Sequence, residues 1–189
     1  MRTFTSRTFA IGGPLVRDDV HVLFAGREGE ATLDGLFVVS GRQHVDHHTS
    51  LDHAVPDCRS RELYKGVLSG AGRGVFNGAV IIRPDAQKSD SAQRNPNLLL
   101  SEDATIHTKP ELQIWADDVK CAHGATVGQL DADALFYLRA RGIDDTAARS
   151  MLVHAFAREV VERIEHPGLR ADVDAWVEAR MDRLAREQS

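Results

Sequence analysis

The stretch Ser69-Gly70-Ala71-Gly72-Arg73-Gly74-Val75-Phe76-Asn77-Gly78-Ala79-Val80-Ile81-Ile82, closed by Arg83-Pro84-Asp85, decides the class of fold. Glycines ahead of a helix would offer backbone N–H groups to a phosphate, but the residues after these glycines are apolar, β-branched and ended by turn formers, so the stretch reads as a strand. The spacing is neither G-x-G-x-x-G nor a segment ending in G-K-[ST], which leaves the glycines as turn formers and excludes a nucleotide-binding loop. Working outward, similar short runs recur at 20–24, 36–39, 97–100, 112–115 and 125–130, several of them bounded by turn residues. No helical spacer separates them, so a βαβ alternation is excluded and an all-β body is expected. A sandwich, a barrel and a β-solenoid all provide runs at this frequency, and no strict internal repeat selects among them.

The character of the chain changes near residue 129. Of the 15 glycines, only Gly142 and Gly168 follow that point. Asp131 reads as the N-cap of a short helix carrying Leu135, Phe136 and Leu138, closed by Gly142. Ile143-Asp144 reads as a staple and cap for a longer helix with the stripe Ala148, Met151, Leu152, Ala155, Phe156, Val160 and Ile164. His166-Pro167-Gly168 interrupts it, and a third helix carries Leu169, Val173, Trp176, Val177, Met181 and Leu184. The expected organisation is a β body over 1–128 and a satellite helical domain over 129–189.

Composition narrows the functional classes. The 189 residues carry 23 basic and 28 acidic side chains, net −5, with no basic block. That balance argues against a nucleic-acid binder. Hydrophobic content of 42% with 27% charged residues is ordinary for a globular chain long enough to bury a core. Two cysteines, Cys58 and Cys121, do not make a disulfide framework, and a reducing compartment is expected. No apolar run approaches membrane length, and residues 1–17 lack a signal-peptide core. A cytoplasmic protein without membrane or nucleic-acid partners is the expectation.

Candidate chemistry centres on Lys120-Cys121-Ala122-His123-Gly124-Ala125-Thr126. In an extended chain Cys121 and His123 share one face. Sulfur and imidazole nitrogen together suit zinc, copper or iron, iron–sulfur clusters included. A closed site usually takes four ligands, so other residues of this chain, or another chain, must complete it. Cys121 also reads as a packing residue, since free cysteine behaves as a small hydrophobe. A second group comprises His44, His47, His48 and His53, interleaved with Asp46 and Asp52. It would suit zinc or iron in a stand-alone metal-dependent enzyme on a β scaffold. On a strand, however, His44 and His48 face one side and His47 and His53 the other, which favours hydrogen bonding along stacked strands. There is no H-E-x-x-H and no G-x-S-x-G, so nothing points to hydrolytic catalysis.

Several motifs, taken together, resemble the SufB/SufD family of the SUF iron–sulfur cluster assembly system. They are Asp46-His47-His48-Thr49-Ser50-Leu51-Asp52-His53, Tyr64-Lys65-Gly66-Val67-Leu68, Leu98-Leu99-Leu100-Ser101-Glu102-Asp103-Ala104, Ile106-His107-Thr108-Lys109-Pro110-Glu111-Leu112, Asp117-Asp118-Val119-Lys120-Cys121-Ala122-His123-Gly124-Ala125-Thr126 and Leu135-Phe136-Tyr137-Leu138-Arg139-Ala140-Arg141-Gly142-Ile143. The resemblance implies a mainly β fold, a right-handed parallel β-helix followed by a small C-terminal α-helical domain. It implies a non-catalytic scaffold subunit that pairs with a SufB-like subunit, docks a SufC-like ATPase on its helical tail, and shares an iron–sulfur cluster or iron transiently with its partner. Ala104 stands where the SufB branch has a cysteine, three positions before His-Thr-x-Pro, which favours the SufD branch. The histidine implicated in cluster assembly in that branch falls on His123, with Cys121 beside it. Family members are usually longer, with an N-terminal helical region, so the resemblance covers their C-terminal part. An uncapped strand edge also allows two copies to pair as a homodimer in isolation.

Overall fold

The computed structural model describes residues 2–187, with side chains as far as residue 184. Nine strands come first: β1 Arg2–Ala10, β2 Leu15–Phe24, β3 Gly29–Val39, β4 His44–His53, β5 Arg59–Leu68, β6 Arg73–Ile82, β7 Asp90–Leu99, β8 Thr105–Ile114 and β9 Lys120–Gly128. Three helices follow: α1 Ala132–Ala140, α2 Asp145–Val161 and α3 Pro167–Glu187. Odd strands form one sheet in the order β1-β3-β5-β7-β9 and even strands the other, β2-β4-β6-β8. Every neighbouring pair is parallel. Parallel strands need a crossover, and here each crossover is a strand of the opposite sheet. The body is therefore a β-solenoid of about four turns, and the mainly β expectation holds.

The repeat that identity does not reveal is present in the register. His44 lies opposite Arg73, and Arg73 opposite Thr105, steps of 29 and 32 residues. Because the rung length varies and the stacked residues differ, no motif recurs. Stacking nevertheless imposes local constraints. Gly70 (φ +63°) sits on the preceding turn at Gly41 (φ +58°), and a Cβ on Gly70 would approach the Gly41 backbone nitrogen to 2.9 Å.

The even sheet alternates strictly along β4 and β6, with one face inward and one toward solvent. In β3 and β5 the second halves are buried on both faces, because the helices cover the outer side. Leu36, Val38, Leu63, Val67 and Leu98 form one apolar cluster with Val153, Ala157, Val160, Val161, Val177, Met181 and Leu184. Polar ties reinforce it: the Lys65 ammonium pairs with Glu159 and donates to the Phe156 carbonyl at 2.9 Å, and Arg163 donates to the buried Asp34 at 2.8 Å. The change from strand to helix falls between Gly128 and Ala132, but α2, α3 and the odd sheet share a core.

The helix caps form as expected: Asp131 accepts from the backbone N–H groups of Asp133 and Ala134, Asp144 from that of Ala147, and Gly142 takes φ +84°. The stripe of α2 differs. Ala148 and Val160 are buried as read, and Ile164 is buried beyond the end of the helix, but Val153, Ala157 and Val161 take the positions expected of Met151, Leu152 and Ala155. The buried face meets both α3 and the odd sheet, and it is rotated toward the small and β-branched residues. Met151 is left exposed.

Candidate functional site

β9 is the last strand of its sheet and has a neighbour, β7, on one side only. The turn leading into it is held by backbone bonds: Lys88 N–H donates to Asp118 O at 2.6 Å and Lys120 N–H to Ser89 O at 2.9 Å. From there the register runs Ser91↔Cys121, Gln93↔His123, Asn95↔Ala125 and Asn97↔Val127. All four β7 partners are buried inside the solenoid, so Cys121 and His123 lie on the inward face of the final rung. No further rung covers that face among the described residues. Cys121 is half-buried against the apolar interior, whereas His123 is exposed.

The structure thus brings the two donors together on one face, about 7 Å apart along the strand, at the open end of the solenoid. Burial pushes the Cys121 thiol up, partly opposed by the backbone of Ser91. The thiol is therefore protonated near neutrality, and a bound metal would be required to displace its proton.

Successive rungs place two polar interior rows behind these donors. One runs Ser60–Ser91–Cys121 across β5, β7 and β9. Ser60 Oγ donates to Ser91 Oγ at 2.8 Å and lies 2.9 Å from His53 Nε2. The other runs Glu62–Gln93–His123. Gln93 Nε2 donates to Glu62 Oε2 at 2.6 Å, and burial pushes the Glu62 carboxyl up to about 7. Sequence reasoning missed Glu62, Ser91 and Gln93. Their signal is spacing: Gln93 precedes His123 by one rung of 30 residues, and Glu62 precedes Gln93 by one of 31.

The second histidine group divides as its strand parity predicts. His47 and His53 are buried and His44 and His48 face outward on β4. His47 sits between the Phe37 and Tyr64 rings, each centroid 5.3 Å away, with Asp18 Oδ2 at 3.6 Å from Nδ1. His53 packs on Phe24, and burial draws it down to about 4. His48 pairs with Asp46 at 2.9 Å. Among the described residues no three His, Cys, Asp or Glu side chains gather as a metal site. Ala104 is buried in the turn before β8, packed with Phe37, Val39 and Leu68. In the helical tail, Phe136 is 73% exposed and Tyr137 also faces solvent, for α1 buries none of its residues. Among the described residues no helix is long and apolar enough to cross a membrane.

The family model described as SUF system FeS cluster assembly, SufBD core domain, matches residues 2–156, running past the last strand into α2. The iron-sulfur cluster assembly protein SufD of Escherichia coli is 39% identical over 184 residues, covering 97% of this chain and 44% of that protein. A SufBD family iron-sulfur cluster assembly protein of Synechocystis is 38% identical, covering 90% of this chain and 38% of its own length. Protein ABCI7, chloroplastic, of Arabidopsis thaliana is 40% identical, covering 84% and 34%. The chain spans less than half the length of these relatives. With the family match extending over nine stacked strands and the first helices, this chain belongs to the SufBD core family of the SUF system of iron–sulfur cluster assembly.

Proposed function

We propose that this chain is a non-catalytic scaffold subunit in iron–sulfur cluster assembly, acting in the reducing cytoplasm. Its terminal inward face presents His123 and Cys121 to a SufB-like partner. The partner seats against the open end and supplies the remaining ligands, so that iron or a cluster is held between the chains. Soft sulfur and imidazole donors match iron–sulfur chemistry, and two donors leave the coordination shell for another chain to finish. The observation that carries this reading is the exposure of His123 on an inward-facing row that ends at β9.

A SufC-like ATPase docks on the helical tail. The exposed Phe136 and Tyr137 of α1 are the apolar contacts such a surface needs. Both cysteines are unpaired thiols, in keeping with a reducing compartment.

The test is co-purification of this chain with SufB-like and SufC-like proteins, followed by iron and sulfide quantification. His123→Ala is expected to leave the complex intact while removing most of the iron and sulfide. Wild-type loading in an intact His123→Ala complex contradicts the assignment.

A further inference from the structure

The row behind His123 contains an unsatisfied group. Gln93 is 1% exposed, its nitrogen is committed to Glu62, and its side-chain oxygen Oε1 is buried without a hydrogen-bond partner. Ionised Glu62, the form that prevails at pH 8, can only accept, so the amide turns its nitrogen toward Glu62 and its oxygen away. Space for this arrangement comes from the opposite sheet. A Cβ on Gly78 would fall 2.3 Å from Gln93 Nε2, so any larger residue there would displace the amide. Glu62 lies on one flank of β7 and His123, the register partner of Gln93, on the other. An imidazole N–H is the donor that the row lacks.

We infer that Gln93 is the positioning residue for His123: Gln93 Oε1 accepts one imidazole N–H, which fixes the tautomer and turns the other ring nitrogen toward the chain docked on the open end. This rests on His123 being the donor proposed above. A metal-ligating histidine characteristically donates its second nitrogen to a carbonyl or carboxylate, and that bond sets both ring orientation and basicity. Glu62 acts one step further back by holding the amide.

The test reads the tautomer directly. The chain is labelled with ¹⁵N-histidine, the His123 ring signals are identified by their loss in His123→Ala, and spectra are taken at pH 8. Wild type is expected to show one dominant tautomer and Gln93→Leu the mixture of free histidine. The double variant Glu62→Gln/Gln93→Glu exchanges the two groups: the amide moves to β5 and donates to a carboxylate on β7, which in turn accepts from His123. It is expected to restore the single tautomer. In the assembled complex Gln93→Leu should lower iron affinity about 10-fold, with the exchanged pair recovering it. The same tautomer mixture in wild type and Gln93→Leu overturns the inference, as does a folded exchanged pair that behaves like Gln93→Leu. If the tautomer responds as expected but the His123→Ala complex carries full iron and sulfide, the positioning contact stands and the donor role of His123 falls.

Discussion

Glu62 occupies an environment that disfavours its charge. It is 3% exposed, Gln93 donates to one of its oxygens, and the Thr49 hydroxyl faces it without a well-formed hydrogen bond. Burial raises its carboxyl to about 7 against an unfolded value of 4.5. The folded chain therefore holds a proton that the unfolded chain releases between these values, and the group's contribution to stability is lost as pH rises from 4.5 through 7. Each tenfold difference in proton affinity between the two states is worth roughly 1.4 kcal/mol. Glu62→Gln is accordingly expected to stabilise the fold by about 3 kcal/mol at pH 8 and to be near neutral at pH 4.5. Urea unfolding at the two pH values measures this, and an equal difference at both contradicts the assigned burial. His53 has the opposite sign: burial keeps it neutral, so its contribution is lost as pH falls from 6.5 toward 4. At this scale the parity of His44, His47, His48 and His53 was legible from alternation alone. Glu62 and Gln93 were not, because a polar residue in a strand says nothing about which face is enclosed until the rung length is known.

The elements show why apolar runs located the strands but understated them. The run at 97–100 marks only the end of β7, whose earlier inward positions are Ser91, Gln93 and Asn95. β5 likewise begins its inward face with Ser60 and Glu62 before reaching Tyr64 and Leu68. From β5 onward the first inward positions of the odd strands stack as polar rows, invisible to a search for hydrophobicity. Helix boundaries were legible because caps are local chemistry. The buried face of α2 was not, since it depends on both α3 and the sheet it meets. That attachment is specific: Lys65 lies 4.3 Å above the Phe156 ring while pairing with Glu159. Lys65→Met keeps the apolar stem but removes the buried donor to the Phe156 carbonyl and leaves Glu159 only the more distant Arg94 and Arg163, and is expected to cost about 1–3 kcal/mol. Hydrogen exchange should show α2 opening before the strands. Unchanged stability with unchanged α2 protection would show that the apolar contacts alone hold the helix.

At the scale of the molecule, parallel stacking converts rung spacing into rows, and two of these rows terminate at Cys121 and His123. The family resemblance selected the solenoid from among the all-β alternatives, something neither composition nor periodicity accomplished. The same stacking leaves the final rung open, so His123 is exposed and Cys121 half-buried although both belong to the interior face. The most direct measurement of shared ligation labels this chain alone with ¹⁵N-histidine, assembles it with unlabelled SufB-like and SufC-like partners, reduces the cluster by one electron, and records pulsed electron paramagnetic resonance. The account predicts a ¹⁵N hyperfine coupling that vanishes in His123→Ala. A loaded, paramagnetic cluster whose spectrum contains only unlabelled nitrogen, or none, would contradict it.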